Sequence, residues 1–322
     1  MQTRPFDQII FVDDCSTDGT PDILARYGDR ITCVRTPRNT GNKSSAQEYG
    51  LRFVTGECMA TTDADTLLHP RFAERIERDF QHPSVAAVAG YVYSLPCNWL
   101  TLCRAFYYVV GQDLHKIAQH YLNYIFVLPG AASAFRTDLF RKYITFDHDT
   151  ITEDLDFTYK LHRNGFKIFY DREAISYTQD PSTLPDYINQ MRRWYSGGWQ
   201  NLLKHISVAA NPSPALELSL IYIEGLMFSF LILALPVLNP LFALRIMFGY
   251  AIVVSLFAVW AAWISKRPGI LLAPIPYLLL VYVNAWLFIE TFIKEIILRR
   301  KTILWFKPTR TAIPFRQEPE TP

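Results

Sequence analysis

Short apolar runs alternate with helical-period stretches through the first hundred residues, and the last third of the chain is almost continuously apolar. The early pattern predicts strands at 8–13, 31–35, 58–62 and 85–93, each a buried run bounded by turn formers. Between them it predicts helices over 21–27, over 44–54 and after Pro70. Thr20 serves as N-cap of the first, with Pro21 at its first helical position. The loop Asn39-Thr-Gly-Asn-Lys43 leads into the second. Such alternation predicts an α/β domain with a mostly parallel sheet and helices on its faces. In these sheets ligands bind at the carboxyl ends of the strands.

Residues 98–126 read differently. Leu114, Ile117, Ala118, Tyr121 and Ile125 recur at helical spacing, with Gln112, Asp113, Lys116, Gln119, His120 and Asn123 opposite. That is an amphipathic helix, suited either to a membrane surface or to packing on the domain. A second helix begins near Pro185 and covers about 185–205, and Gly197-Gly198 reads as a break before the apolar region. Apolar stretches near 216–238, 241–264 and 270–297 each reach the ~20 residues that cross a bilayer. Glu217, Glu224, Arg245 and Glu290 interrupt them and are expected at the bundle interior, a polar cavity or the interface.

The chain therefore divides into a catalytic region over 1–213, a membrane region of about three helices over 214–298, and a flexible tail over 299–322. Orientation is contradictory. Lys266 and Arg267 lie between the second and third stretches, and Arg299, Arg300 and Lys301 follow the third. Three full spans put these clusters on opposite faces, although both are cytoplasmic by charge. Pro274 and Pro276 allow a third segment that is bent, re-entrant or interfacial.

With 322 residues and a net charge of only +2, the composition offers nothing for nucleic acid. The five cysteines form no CxxC pair and the histidines no HExxH arrangement, so reduced thiols are expected and zinc is not. No apolar leader follows Met1.

Candidate chemistry clusters at strand ends. Asp13-Asp14 closes one apolar run and Asp63-Ala64-Asp65 follows another. Each reads as a turn when taken alone. Together they suit a nucleotide held by carboxylates and, at Asp65, a hard divalent cation bridging to a diphosphate. Thr152-Glu153-Asp154 opens a helix running to about 164. There Thr150 and Glu153 form a capping-box pattern that accounts for Glu153 and leaves Asp154 as a base. The helix N-terminus acts to lower the pKa of Asp154 and burial acts to raise it. Gln190, Arg193 and Trp194 share one helical face. Arg193 suits a diphosphate, Trp194 the apolar face of a sugar ring, and Gln190 its hydroxyls.

In this order and rough spacing, Asp13-Asp14-x-Ser16-x-Asp18-Gly19, Asn39-x-Gly41-x-Lys43, Asp63-x-Asp65, Thr152-Glu153-Asp154 and Gln190-x-x-Arg193-Trp194 resemble the membrane-bound family 2 glycosyltransferases. These include the synthases of cellulose, hyaluronan and poly-N-acetylglucosamine, and the resemblance covers roughly 8–300. It implies a Rossmann-like GT-A catalytic domain on the cytosolic side of the plasma membrane, followed by C-terminal transmembrane helices. It implies an inverting transfer from a nucleotide-diphosphate sugar, of the UDP type, to a glycan or lipid acceptor, with Mg2+ or Mn2+ as cofactor. By the same resemblance Asp154 is the catalytic base, and Asp13, Asp14, Lys43, Asp63 and Asp65 bind the donor. Asp65 is the metal ligand, and Gln190, Arg193 and Trp194 bind acceptor and diphosphate. The small-residue stretch Gly130–Arg136 is expected to let the acceptor approach backbone. The family's first strand, with its Pro-x-x-Asn-Glu-like motif, has no counterpart here, because seven residues precede the first strand. A shortened member is therefore expected. Single-sugar transfer to a lipid, or a membrane scaffold without activity, are the alternatives.

Overall fold

The computed structural model describes residues 2–143 and 148–302. The part of the expected tail beyond 302 lies outside the described residues. Seven strands form: β1 (Ile10–Asp13), β2 (Thr32–Arg35), β3 (Cys58–Thr61), β4 (Leu67–Leu68), β5 (Val85–Ser94), β6 (Ser133–Arg136) and β7 (Lys167–Thr178). The expected strands are all present. The expected mostly parallel sheet is not. β1 and β2 pair in parallel as a separate two-stranded sheet, and the other five are ordered β3-β6-β5-β7-β4. In that sheet only β5–β7 is parallel, while β3–β6, β5–β6 and β4–β7 are antiparallel. β6 returns beside β5 after the inserted helices of 99–121 instead of following a βα crossover. This direction change is invisible to local hydrophobic pattern.

β5 is the axis of the domain. Alternation along it sends Ala87, Ala89 and Tyr91 to one face, against Phe135, Phe140, Phe157 and Tyr170. Val88 and Val92 go to the other, against Phe72, Ile76 and Phe80 of the Phe72–Phe80 helix. At Gly90 the register with β7 jumps from Asp171 to Ile175, and a Cβ there would strike the carbonyls of Ala174 and Ala132. Only glycine admits so close a backbone approach. The first helix is Thr20–Ala25 with Gly19 at the N-cap, so Thr20 is its first residue and not its cap.

Six further helices matter for function: α1 (Trp99–Val110), α2 (Glu153–Arg163), α3 (Leu184–Lys204), α4 (Pro212–Leu238), α5 (Pro240–Ile264) and α6 (Pro274–Ile297). The last three are each long and apolar enough to cross a membrane. A π-helical turn, Gly111–His115, joins α1 to the short helix Lys116–Tyr121. Here much of the expected polar face turns inward, while Ile117 and Ile125 of the apolar face stay on the core. Gln112, Asp113, Lys116 and Gln119 are buried, whereas Leu114 is 40% and Tyr121 80% exposed. The polar side faces inward because partners wait there. Tyr91 donates to Asp113 Oδ2 (2.8 Å), Arg172 pairs with Asp113, and Tyr170 donates to the Gln112 carbonyl (3.0 Å).

α2 is fastened to α3 by charge. Asp156 Oδ1 accepts from His205 Nε2 (2.7 Å) and lies 2.8 Å from Lys204 Nζ, while Oδ2 lies 3.0 Å from Lys160 Nζ. Burial pushes the Asp156 carboxyl upward, but these hydrogen bonds and the charge of Lys160 prevail and hold it at about 2. A carboxylate depressed from 3.8 to about 2 stabilises the fold above its unfolded value by about 2 kcal/mol. Asp156→Asn is therefore expected to melt earlier than the parent at neutral pH. The gap closes as pH falls below about 4 toward 2, where the parent's carboxylate is also protonated. Thermal unfolding of the full chain in detergent across pH checks this, and a gap independent of pH contradicts it.

Candidate active site

The carboxyl ends of β1 and β3 build one wall. Parallel register sets Asp13 opposite Arg35, whose Nη1 donates to Asp13 Oδ2 at 2.8 Å. Asp13 Oδ1 accepts from Ser16 N (2.8 Å). Burial pushes this carboxyl up, yet the Ser16 hydrogen bonds and Arg35 outweigh it and hold the group below the usual range. Asp14 accepts from Thr36 Oγ1 (2.8 Å), Thr40 N (3.0 Å) and Thr40 Oγ1 (2.8 Å). The acidic pair thus folds the 36–42 loop. Asn42 then caps the Lys43–Leu51 helix through Ser45 N (2.8 Å) and sets Lys43 at its start. Lys43 Nζ pairs with Asp63, just past β3. Asp65 follows in the same turn, which closes through Thr66 N to the Asp63 carbonyl (3.0 Å).

The opposite wall is the N-terminus of α2. A Cβ on Gly130 would lie 3.0 Å from Lys43 Nζ and 3.9 Å from Asp154 Oδ2, so these groups share one locus. Leu128 N donates to Thr158 Oγ1 (2.9 Å), which donates to the Asp154 carbonyl (2.7 Å), tying the 128–130 segment to α2. Asp154 Oδ1 accepts from Leu155 N (2.9 Å), while Oδ2 faces Gly130. Burial raises the pKa of Asp154 against the lowering pull of Lys43 and Arg193. Burial also raises Glu153, and the charge of Asp154 adds to it. The expected helix-end lowering of Asp154 is therefore overcome. The expected capping box does not form. Thr152 is the N-cap, no side chain caps the helix, and Thr152 Oγ1 instead accepts from Asn201 Nδ2 of α3 at 3.0 Å. Glu153 is thus an electrostatic member of the site. An elevated carboxylate flanked by two cations suits a general base beside a departing anion.

The third motif divides its work. Arg193 acts on Glu153 and Asp154. Gln190 and Trp194 turn toward Arg104 of α1, whose guanidinium lies 4.7 Å from the Trp194 ring and 3.4 Å from Gln190 Oε1. Arg104 is 2% exposed and also meets Asp180 Oδ1 (3.3 Å) and Tyr108 Oη (3.1 Å). Sequence reasoning passed over Arg104, although a lone cation inside Trp-Leu-Thr-Leu-Cys-Arg-Ala-Phe-Tyr-Tyr-Val-Val signals a buried charge with built partners. It placed Lys116 only on the polar face of a helix; among the described residues its buried Nζ has no hydrogen-bond partner, and burial pulls its pKa down to about 7. Gly197 and Gly198, expected as a break, sit inside continuous α3. A Cβ at Gly197 would collide with the Thr152 side chain, and one at Gly198 would lie 3.0 Å from Tyr222 Oη. These glycines are where α2 and α4 approach α3.

Among the described residues no three His, Cys, Asp or Glu side chains converge as a metal cage. Mg2+ commonly takes one or two carboxylates and completes its shell with substrate phosphates and water. Asp65, in a partly exposed turn beside Asp63, fits that mode.

Residues 2–197 match the model of "Glycosyltransferase like family 2". The chain is 30% identical over 203 residues to the uncharacterised glycosyltransferase YaiP of Escherichia coli K12, covering 60% of this chain and 50% of that one. It is 25% identical over 201 residues to poly-beta-1,6-N-acetyl-D-glucosamine synthase of Staphylococcus aureus, covering 61% and 48%. It spans about half the length of these curated relatives. Among solved structures, the mannosyltransferase of Pyrobaculum calidifontis, in complex with GDP-Man and Mn2+, superposes with a TM-score of 0.61 at 21% identity. That match covers 91% of this chain and 79% of the other, and it bears out the GT-A-like fold.

Gly197→Ala follows from this geometry. The added methyl displaces Thr152, and with it the turn that holds Asp154. Overpacking of this kind costs about 1–3 kcal/mol. Transfer is expected to fall at least about tenfold, because small misplacement of a reacting group is costly, with donor affinity nearly unchanged. Donor titration alongside initial rates checks it; unchanged rates contradict it.

Proposed function

The chain belongs to glycosyltransferase family 2, and from that premise we propose an inverting transfer of a hexosyl or N-acetylhexosaminyl group from a nucleotide-diphosphate sugar to a glycan acceptor at the membrane. The observation that carries the reading is the meeting of Asp154, Lys43 and Gly130 at the strand ends, with Arg193 acting on the same carboxylate. Asp154 takes the proton of the acceptor hydroxyl as that oxygen bonds to the anomeric carbon. The bond from that carbon to the diphosphate oxygen breaks on the opposite side, and its electron pair leaves with the diphosphate. Arg193 and Lys43 balance the charge that develops there. Gly130, without a Cβ, lets Lys43 Nζ and Asp154 Oδ2 close on the backbone where an acceptor sugar would approach. A divalent ion at Asp65 would neutralise part of the diphosphate charge. Asp13 and Asp14 would hold the nucleotide through the loop they order, and Gln190 and Trp194 would receive the acceptor. The apolar helices support a membrane enzyme, and the proposal places it in the plasma membrane with its catalytic domain in the cytosol.

Relatives differ in donor. One is named for an N-acetylglucosamine polymer, and the structural neighbour holds GDP-Man. Incubating membranes with labelled UDP- and GDP-sugars and sizing the product identifies donor and product together. A long polymer supports polysaccharide synthesis, and one sugar on a lipid supports the alternative. No product with any donor supports an inactive membrane partner.

Asp154→Asn preserves shape and removes the base, so transfer is expected to fall by roughly 10²–10⁴-fold. In the parent, activity rises with pH as Asp154 loses its proton, and the acid limb of kcat/KM lies above the ordinary carboxylate range because burial raises the group. Lys43→Ala removes a cation that lowers Asp154, so the limb moves to higher pH. A pH–rate profile checks both; near-normal turnover of Asp154→Asn overturns the assignment.

Asp65→Ala is expected to abolish metal-dependent donor binding while the chain stays folded and inserted. Calorimetric titration of the nucleotide sugar with and without Mn2+ checks it. Unchanged metal-dependent affinity contradicts the role.

A further inference from the structure

The stripe of α3 that carries Gln190 and Trp194 meets one buried cation. Arg104 of α1 touches Tyr187, Gln190, Met191 and Trp194, which recur at helical spacing along one face of α3. Its Nε donates to Asp180 Oδ1 (3.3 Å) and its Nη1 to Met191 Sδ (3.6 Å). Its Nη2 serves both Tyr108 Oη (3.1 Å) and Gln190 Oε1 (3.4 Å). The rings of Trp194 (4.7 Å), Tyr108 (4.9 Å), Tyr107 (5.5 Å) and Tyr187 (5.7 Å) surround the charge. Asp180, buried just past β7, also accepts from Ser94 Oγ at the end of β5 (2.5 Å).

Stability alone does not call for a guanidinium at this position. Leu100, Cys103, Ala105 and Phe106 of α1 are buried beside it, and a well-packed apolar residue replaces a buried ion pair at little or no cost. What the guanidinium supplies is direction, because it is a planar fork that only donates. That restricts both partners on α3. Facing a donor, the Gln190 amide can turn only its Oε1 toward Arg104, so its NH2 group points away from it. Gln190 is partly exposed, which leaves that group reachable. Arg104 is 2% exposed, so the Trp194 ring face that it covers is closed. Trp194 is nonetheless partly exposed, and its open surface therefore lies away from Arg104.

We propose that Arg104 is a positioning residue for the acceptor: it holds the Gln190 amide with its N–H donors outward and keeps one face of Trp194 shut, so that a stacking surface and a hydrogen-bond donor stand side by side. The inference rests on the proposed glycosyl transfer and narrows the acceptor that the site takes. A fitting acceptor presents an oxygen, of a hydroxyl or an N-acetyl group, to Gln190 Nε2 and the apolar side of its ring to Trp194. Gln190 is thereby a donor to the acceptor sugar, since its own oxygen is spent on Arg104. None of the named partners of Arg104 belongs to the donor-side set Asp13, Asp14, Lys43, Asp63 and Asp65. Its effect is therefore confined to the acceptor half of the reaction.

Arg104→Lys keeps the charge and loses the fork. Acceptor KM is expected to rise about tenfold, the effect of losing one hydrogen bond, while donor KM and donor hydrolysis stay as in the parent. A merely structural role lowers the amount of active enzyme, and so the apparent kcat, without moving KM. An unchanged acceptor KM therefore overturns the inference. On a Gln190→Ala background the same change is expected to raise acceptor KM less than it does alone, because the group it orients is gone. Additive effects overturn the inference. Fluorine NMR of the full chain in detergent, labelled with fluorotryptophan and assigned through Trp194→Phe, reads the ring directly. The Trp194 resonance is expected to shift or broaden in Arg104→Lys, and an unmoved resonance overturns the inference whatever the activity. Where Arg104→Lys fails to fold, Gln190→Glu takes its place. It keeps an oxygen toward Arg104 and removes the outward N–H donors, so acceptor KM is expected to rise with the Trp194 resonance unmoved; an unchanged KM overturns the inference. A parent chain that transfers nothing defeats the proposed reaction, and the Trp194 resonance in Arg104→Lys still decides whether Arg104 sets the ring.

Discussion

The seating of the α2 N-terminus on α3 is the contact on which the site depends. Gly197 leaves a gap that the Thr152 side chain fills, Asn201 donates to Thr152 at its carbonyl (3.2 Å) and hydroxyl (3.0 Å), and Gln200 Oε1 receives Ile151 N (3.0 Å). One turn further on, Asp156 binds His205 and Lys204. None of these groups touches a reacting atom. Together they fix Asp154 relative to Arg193, two residues on different helices separated by more than thirty positions. Catalysis by orientation needs such over-determination, since a base that wanders loses most of its advantage.

The electrostatics follow from that geometry. Two neighbouring carboxylates, Glu153 and Asp154, are raised by burial, and Lys43 and Arg193 pull both back. Lys43 in turn feels desolvation, which lowers it, but Asp63 and Glu153 outweigh this and hold it charged. Without the cations, burial would raise both carboxylates further. The carboxylates in turn raise Lys43, after Asp63. Two cations held among carboxylates present preorganised positive charge to an anion. The arrangement therefore suits an anion that comes and goes.

Much of this was legible in the sequence, and the failures have physical causes. Strand ends and acidic motifs could be read because buried runs and turn formers are local signals. The sheet's mixed direction could not, because β6 returns after the inserted helices of 99–121 whose length says nothing about orientation. The 111–121 segment has the expected period, but most of its polar side turns inward. Period reveals that two faces differ but not which one meets water, and here buried tyrosines and Arg172 supply partners to Gln112 and Asp113. Glu153 fits a capping pattern with Thr150, yet Asn201 secures Thr152 and moves the helix start. Gly197-Gly198 look like a break, and a glycine pair does break an isolated helix. Within α3 they are the positions at which neighbouring helices come too close for a side chain. In each miss a tertiary contact overrode a local preference.

The pair Arg192-Arg193 links the candidate site to a helix long and apolar enough to cross a membrane. Neighbouring residues on a helix point about 100° apart. Arg193 acts on Glu153 and Asp154, while Arg192 holds Glu290 of α6 through both carboxylate oxygens. Three residues earlier, Gln190 reaches Arg104 of α1, which packs on the end of α5 through Phe106 and Val109. α3 is thus one rod with the candidate site on one side and contacts to α6 on the other. A rod of this kind transmits displacement: a tilt of α6 that carries Arg192 also carries Arg193. The position of Arg193 beside Asp154 therefore depends on how α6 holds Arg192.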